Sequence, residues 1–296
     1  MKFIRDIYSE KALTKRPVIS FEFSPPRSED AERSFFEKTI PALSLLKPDF
    51  CSCTYGAGGS TRDKTLMISE RLQKDFGLLS MAHLTCVEAT REQTGAVLEE
   101  ARARGIQNIL ALRGDPPGGV GEFTKTEGGF EYSRELVEFI RAKGGFSIGT
   151  AGFPEGHIAC KAGKLVDWGH LKEKIDAGAD FVITQLFFNN ADFFEFYNHL
   201  VGKLGVKAPI VPGILPIPSK GWITRFIPLC GATIPAEITK KLDALGDDED
   251  AITDFGIEFA TRQIEELIKF GVPGVHLYTV NKVRPTRTIM KNLKLA

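Results

Sequence analysis

Eight apolar, β-prone runs recur along this chain, separated by amphipathic stretches of helical period, and that alternation restricts the fold more than any other feature. The runs cover residues 17–23, 49–55, 79–86, 106–113, 146–153, 180–187, 208–214 and 273–280. Helical patterns lie between them, for example at 31–46, 63–76, 90–104, 133–143, 164–178 and 191–203. Residues 219–271 hold several shorter helices, and 283–294 close the chain with a last one. Gly105, Gly144, Gly178 and Gly271 stand where helices should end, because glycine takes the left-handed C-terminal conformation without a Cβ penalty. Strands separated by helices pair in parallel through right-handed crossovers. An open doubly wound sheet and a closed barrel both satisfy that rule. The count of eight favours the barrel, as does the lack of a G-x-G-x-x-G after any strand; "YGAGGSTR" at 55–62 has the wrong glycine spacing. The expected fold is α/β, a single-domain (β/α)8 TIM barrel over residues 1–296 with an N-terminal extension at 1–16.

Composition narrows function by exclusion. Lys+Arg and Asp+Glu balance at 38 each, so no general basic field is available to hold nucleic acid. The N-terminal "MKFIRDIYSEK" is charged throughout, unlike a secretory signal, and no apolar run approaches the ~18 residues of a membrane span. Cys51, Cys53, Cys86, Cys160 and Cys230 are odd in number and contain no C-x-x-C pair, which fits reduced thiols. A cytoplasmic globular protein with no membrane or nucleic-acid partner is expected. The 22 phenylalanines read mainly as large core packing.

In a barrel the C-terminal strand ends converge on one face, where the chemistry of this fold sits. Those ends carry Glu22, Thr54 and Tyr55, His83 and Thr85, Arg113-Gly114-Asp115, Glu155 and His157, Gln185, and Tyr278 with Asn281. One polar residue at a strand end is unremarkable, but seven of the eight ends carrying them points to a built site. "VISFEFSPPR" is the sharpest case: Glu22 sits between two phenylalanines, and a buried carboxylate costs several kcal/mol unless it is paired, protonated or wet. Alternation puts Ser20 and Glu22 on one strand face, and Ile19, Phe21 and Phe23 on the other. Ser52 and Thr54 share a face in the same way, so small polar residues would line the top of the lumen.

Other motifs have competing readings. "LALRGDPPGG" delivers Arg113 and Asp115 two residues apart, either as a surface ion pair or as a clamp, with Arg113 on an anion and Asp115 on an amino-pyrimidine edge. His157 alone reads more readily as a surface or capping histidine, whereas the neighbours of His83 bury it. "VPGILPIPS" at 211–219 is a rigid loop or a pocket wall, and "DALGDDEDA" at 243–251 a solvated turn before a helix starting near 251. The five histidines have no zinc spacing, and neither a P-loop nor a G-x-S-x-G elbow occurs, so no metal is expected and hydrolase and kinase readings are weak.

Taken in order, "FEFSPPR", "TYGAGGSTRD", "HLTC", "LALRGDPP", "GFPEGH", "DAGADFVITQLFF", "PGILPI" and "HLYTVN" resemble the 5,10-methylenetetrahydrofolate reductases of the bacterial short-chain type, over about residues 17 to 283. The resemblance implies a flavin-dependent (β/α)8 barrel without a regulatory domain. Such an enzyme passes hydride from NADH or NADPH to non-covalent FAD and then to methylenetetrahydrofolate, giving 5-methyltetrahydrofolate in one-carbon metabolism and methionine supply. It implies a homo-oligomer, dimer or tetramer. By motif, Glu22 matches the catalytic acid, Asp115 the carboxylate that holds the pterin and tunes the flavin, and Thr54 a position near the flavin. Tyr55, Ala57, His83, Leu112, Arg113, Gly114, Tyr132, Phe153, His157, Asp167 and Lys174 match FAD contacts. Gln185, Phe226, Tyr278 and Lys282 match the substrate side. The family usually has tyrosine at Phe153, H-P-E-A where "HIAC" stands, arginine at Lys282, and often a basic residue at Glu173.

Opening the methylene bridge of such a substrate requires a proton on the departing N10. An exposed Glu titrates near ~4.3, so the expectation is that Phe21, Phe23 and the barrel walls raise Glu22 by desolvation. Two rival readings stand beside this one: a flavin barrel oxidising another cyclic amine, as proline dehydrogenases do, and a pterin- or flavin-binding barrel without turnover.

Overall fold

The fold was analysed in a computed structural model, which describes residues 2–14, 16–55, 62–116 and 123–295. Nine strands among these residues form one parallel sheet: β1 (Val18–Phe23), β2 (Phe50–Cys53), β3 (Ser80–Thr85), β4 (Asn108–Leu112), β5 (Ser147–Gly152), β6 (Phe181–Thr184), β7 (Ile210–Val211), β8 (Gly213–Ile214) and β9 (Gly274–Tyr278). The strand order is β7-β6-β5-β4-β3-β2-β1-β9-β8. β7 pairs with β6 and β8 with β9, so residues 210–214 complete an eight-position barrel. Within the 208–214 run, expected as one strand, Pro212 has no N–H for the ladder; its carbonyl still accepts from His276 N at 3.0 Å.

The helices are α1 (Ile4–Thr14), α2 (Glu29–Ser34), α3 (Ile40–Ser44), α4 (Arg62–Lys74), α5 (Arg91–Ala103), α6 (Ser133–Lys143), α7 (Lys164–Asp176), α8 (Asn190–Asn198), α9 (Lys220–Cys230), α10 (Ala236–Leu245), α11 (Glu249–Phe270) and α12 (Val283–Asn292). The expected helix 31–46 is in fact α2, a wide π turn at Phe35–Thr39, and α3. Pro41 explains the change, since it cannot donate the regular i→i−4 bond. Gly105, Gly144, Gly178 and Gly271 all have positive φ at the helix ends where they were expected. No helix among the described residues is long and apolar enough to cross a membrane.

Alternation sorts the strand residues into two environments. Phe21, Phe23, Cys51 and Cys53 join the outer core between sheet and helices. Val18, Phe50, Met81, Leu110, Phe181, Ile183 and Val211 fill the lower lumen. Gly149 makes room for this packing, because a Cβ there would lie 2.8 Å from Phe181 Cζ and 2.9 Å from Leu110 Cδ1. Above this apolar base the lumen turns polar at Ser20, Ser52, His83 and His276, all of them buried.

The stretch 1–16, expected only as an extension, contains α1, which closes the N-terminal mouth. Ile4, Ile7 and Tyr8 share one helical face and pack into the lower lumen. Ile4 N donates to Asn108 Oδ1 at 2.9 Å, and Arg5 Nη1 donates to Phe146 O at 2.9 Å. Lys11 pairs with Asp49, whose second oxygen accepts from Ile19 N at 2.8 Å and so ties helix to strand. If α1 is a structural plug, Ile7→Ala should cost about 2–4 kcal/mol by urea unfolding. Leu13→Ala, at a position 87% exposed on the same helix, should stay within about 0.5 kcal/mol. Equal effects would show that α1 does not depend on its buried face.

Candidate active site

Glu22 lies at the upper end of β1, opposite Ser52 on β2 and Tyr278 on β9 in the strand register. Its carbonyl accepts from Thr279 Oγ1 at 2.6 Å, which fixes the strand end. Asn281, in the left-handed region at φ 56°, donates Nδ2 to Ser24 O at 2.8 Å and accepts from Ser24 N at 3.1 Å. Its contribution is therefore to clamp the chain leaving β1.

The Glu22 side chain is only 14% exposed, and one of its oxygens gathers three groups. Oε2 lies 3.3 Å from Ser52 Oγ, 3.3 Å from His276 Nε2 and 3.4 Å from His83 Nε2. His276 is fully buried; its Nδ1 is 2.7 Å from Ser20 Oγ, its ring stacks on Phe50 and meets Tyr278 edge-on. The expectation of a raised Glu22 is reversed. Burial alone pushes the carboxyl up, but hydrogen bonds from His276 and His83, and their charge when protonated, outweigh it and bring Glu22 down to about 2. Phe21 and Phe23 do not oppose this, since both face the outer core. Glu22 therefore rests as a carboxylate at neutral pH.

Across the barrel, the exits of β4 and β5 and helix α7 gather basic groups. Arg113 Nε is buried without a hydrogen-bond partner, and its guanidinium lies 5.1 Å from the Phe123 ring centroid. Lys174 Nζ donates to Ala151 O at 2.6 Å; burial lowers its pKa to about 8, with Asp167 opposing and Arg113 adding to the shift. Burial, then Arg113 and Lys174, lowers His157 to about 4. His157 accepts from Ala159 N at 3.0 Å and meets Phe153 edge-on at 4.5 Å. Asp167 is raised by burial and held back by Lys174. Arg113 and Lys174 against the one carboxylate, with neutral His157 beside them, leave a positive region suited to a phosphate-bearing ligand. Gly114, at φ 84°, packs its backbone directly on the exit of β3, since a Cβ would fall 2.6 Å from Val87 Cγ2 and 3.0 Å from Thr85 Cβ.

The rest of the mouth is built around Tyr278. Its hydroxyl donates to Thr184 O at 2.7 Å, an approach that requires Gly213, where a Cβ would lie 2.7 Å from Tyr278 Oη. Gln185 follows β6, its Oε1 accepting from Leu186 N at 2.9 Å. Burial, then Asp115, pushes the Cys230 thiol up to about 11, while burial, Glu22 and Cys230 raise Tyr278. The end of α9 thus lies within electrostatic reach of Asp115 on one side and Tyr278 on the other.

Several expected site residues have other surroundings. Tyr132, Asp115 and Lys282 are exposed, Leu112 is half-buried against the inner lumen, and the half-buried Thr54 accepts from Thr65 Oγ1 through its carbonyl. Glu155 accepts from Thr233 N at 3.0 Å and serves to join two loops. Ala57 and the side chain of Phe226 lie outside the described residues. Sequence reasoning missed His276 and Cys230. The alternation of "VHLY" gives His276 the same inward face as Tyr278, whereas nothing local to Cys230 signals its place. Among the described residues, no group of His, Cys, Asp or Glu is arranged to hold a metal ion.

The profile of the methylenetetrahydrofolate reductase family matches residues 7–294. The chain is 41% identical over 288 residues to Methylenetetrahydrofolate reductase (NADH) 1 of Arabidopsis thaliana, covering 94% of this chain and 48% of that protein. It is 36% identical over 283 residues to the 5,10-methylenetetrahydrofolate reductase of Pectobacterium carotovorum subsp. carotovorum, covering 95% of this chain and 91% of that one. It spans about half the length of the plant relatives. A similar solved fold is an uncharacterized protein from Clostridium thermocellum that binds two copies of 5-methyl-5,6,7,8-tetrahydrofolic acid, with TM-score 0.67 and 19% identity over 97% of this chain and 99% of that one.

The depressed Glu22 value has a signed consequence. Its stabilisation is present above the unfolded-state value of ~4.3 and is lost as pH falls toward the folded value. The advantage of the wild type over Glu22→Gln in urea unfolding should therefore shrink by up to about 3 kcal/mol as pH falls from ~4.5 toward ~2. A raised Glu22 would give the opposite slope, with the advantage shrinking as pH rises.

Proposed function

Because the chain belongs to the methylenetetrahydrofolate reductase family, we propose that it reduces 5,10-methylenetetrahydrofolate to 5-methyltetrahydrofolate, with FAD as bound cofactor and NADH or NADPH as electron donor. One observation carries this reading: a carboxylate, Glu22, held by Ser52, His83 and His276 on one side of the lumen, with the Arg113, His157 and Lys174 group across it. FAD, when bound, supplies the two-electron carrier that takes hydride from the nicotinamide and gives it to the folate. Arg113, His157 and Lys174 would hold its phosphates, with Gly114 beside Arg113 among its contacts. Tyr55, Tyr132, Phe153 and Asp167 would surround the rest.

Each turnover consumes a proton, because the N10 amine of the folate must be protonated as the methylene bridge opens to an iminium at N5. Glu22 delivers that proton. Asp115, exposed at the mouth, accepts N–H groups from the amino-pyrimidine edge of the pterin. Gln185 and Tyr278 line the approach. Lys282, exposed at the start of α12, meets a folate carboxylate as a point charge where arginine would make a two-pronged contact. Nicotinamide and folate are taken in turn, so initial-rate lines should run parallel.

The purified protein should be yellow, lose its colour anaerobically with NADH or NADPH, and regain it with methylenetetrahydrofolate. Glu22→Gln should retain the first half-reaction and slow the second by about 10²–10⁴-fold. Protein that binds no FAD and oxidises neither nicotinamide would overturn the reading. Equal loss in both half-reactions would remove Glu22 as the acid.

A further inference from the structure

A proton donor that rests ionised must receive its proton from somewhere, and the neighbours of Glu22 differ in their fitness to supply it. His276 is fully enclosed, and both ring nitrogens are engaged, Nδ1 with Ser20 Oγ at 2.7 Å and Nε2 with Glu22 at 3.3 Å. Ser20 Oγ lies 3.5 Å from Val275 O but 2.7 Å from Nδ1; with the hydroxyl donating to the nearer nitrogen, a neutral imidazole carries its hydrogen on Nε2 and points it at Glu22. Giving that hydrogen away would leave an imidazolate, so neutral His276 can orient the carboxylate but cannot recharge it. His83 is different. Its Nε2 is buried, lies 3.4 Å from Glu22 Oε2 in a poorly aligned contact and has no other partner among the described residues. All three contacts to Oε2 are longer than the ~2.7–2.9 Å of a settled charge-assisted hydrogen bond, so the oxygen is shared among its neighbours.

We propose that the acid of this site is the Glu22–His83 pair, His83 holding the proton that Glu22 passes on, and that His276, braced by Ser20, is a positioning residue that keeps Glu22 oriented. This rests on the reductase reading given above. The transfer balances without any other reactant. The Nε2–H bond of protonated His83 breaks as an O–H bond forms at Oε2, and the pair is electrically neutral before and after. Moving a proton within a neutral pair avoids an unpaired charge in the lumen, the costly state in a low-dielectric interior. Glu22 then gives the proton to N10 and returns to carboxylate, and His83, 7% exposed, takes up one proton per turnover to complete the cycle. The other groups near Glu22, on either face of the sheet, do not compete. Cys53 on β2 and Tyr278 on β9 are both pushed up, primarily by burial and further by Glu22, and Ser20 and Ser52 do not titrate. Tyr55, Leu66 and Leu84 line one small cavity together with His83.

Two measurements test this, one independent of turnover. In full-length protein labelled with ¹³C-glutamate, Glu22→Gln identifies the Glu22 carboxyl resonance. Its titration midpoint should rise by at least one pH unit in His83→Gln and in His276→Leu, and less in Ser20→Ala. His276→Gln, which restores an N–H toward Glu22, should reverse most of the His276→Leu change. In flavin-loaded enzyme, His83→Gln should move the alkaline limb of the folate half-reaction by at least one pH unit toward acid. His276→Leu should slow that half-reaction at least 10-fold more than the nicotinamide half-reaction, with partial recovery in His276→Gln. A Glu22 midpoint that stays within 0.3 pH unit across all variants overturns the proposal, as does an alkaline limb that does not move. Failure of NADH and NADPH to reduce the flavin would overturn the reductase reading instead, and the carboxyl titration would still decide the cluster.

Discussion

Much of this barrel follows from the need to keep one carboxylate inside it. Moving an unpaired carboxylate out of water costs several kcal/mol, and Glu22 escapes that cost only because donors arrive from three other strands. Ser52 and His276 stand beside it because β1 pairs with β2 and β9 in one particular register. Side chains alternate with period two, so a slip of one residue would turn Glu22 into the phenylalanine-rich outer layer and bring Phe21 and Phe23 into the lumen. The polar cluster and the apolar layer therefore select the same register, which is the agreement between levels that makes a fold specific.

Below the cluster the lumen is solid. Val18, Phe50, Met81, Leu110 and Phe181 fill it, and α1 seals it with Ile4, Ile7 and Tyr8. A packed base resists compression, so strand ends above it are held in place without bound ligand. The closing segment 210–214 contributes in a different way. Pro212 interrupts its ladder, Gly213 leaves room for the Tyr278 ring, and the Tyr278 hydroxyl returns a hydrogen bond to Thr184 O. A weak strand is compensated by a side chain of the site it borders.

The architecture was legible in the sequence because it is written in local patterns. Eight apolar runs, four helix-ending glycines and the inward pairing of Ser20 with Glu22 each depend on residues close together in the chain, and all recur in the structure. What was not legible is non-local. The sign of the Glu22 shift depends on His83 and His276, which only the closed barrel brings near, so a reading based on Phe21 and Phe23 predicted the wrong direction. Helix α1 escaped notice because only three of its residues, Ile4, Ile7 and Tyr8, are buried. Cys230 reaches the mouth through the packing of α9, which no spacing in the chain encodes.

The two sides of the candidate site differ in how their charge is met, and that difference assigns them different work. Around Glu22, histidines and serines from the chain itself stabilise the anion, so this side is complete without a ligand. Around Arg113, His157 and Lys174 the groups are all basic, and His157 rests neutral beside the two cations. Burial and then repulsion from Arg113 disfavour protonated His157, burial and Arg113 disfavour protonated Lys174, and Asp167 opposes the shift at Lys174. An anion placed there would relieve both effects at once, restoring positive charge to the groups that bind it and stabilising the folded chain by linkage. The barrel is thus preorganised around the Glu22 carboxylate and left electrostatically unsatisfied around Arg113, His157 and Lys174. An anion bound there would gain its binding free energy away from Glu22, whose geometry need not change when that side fills.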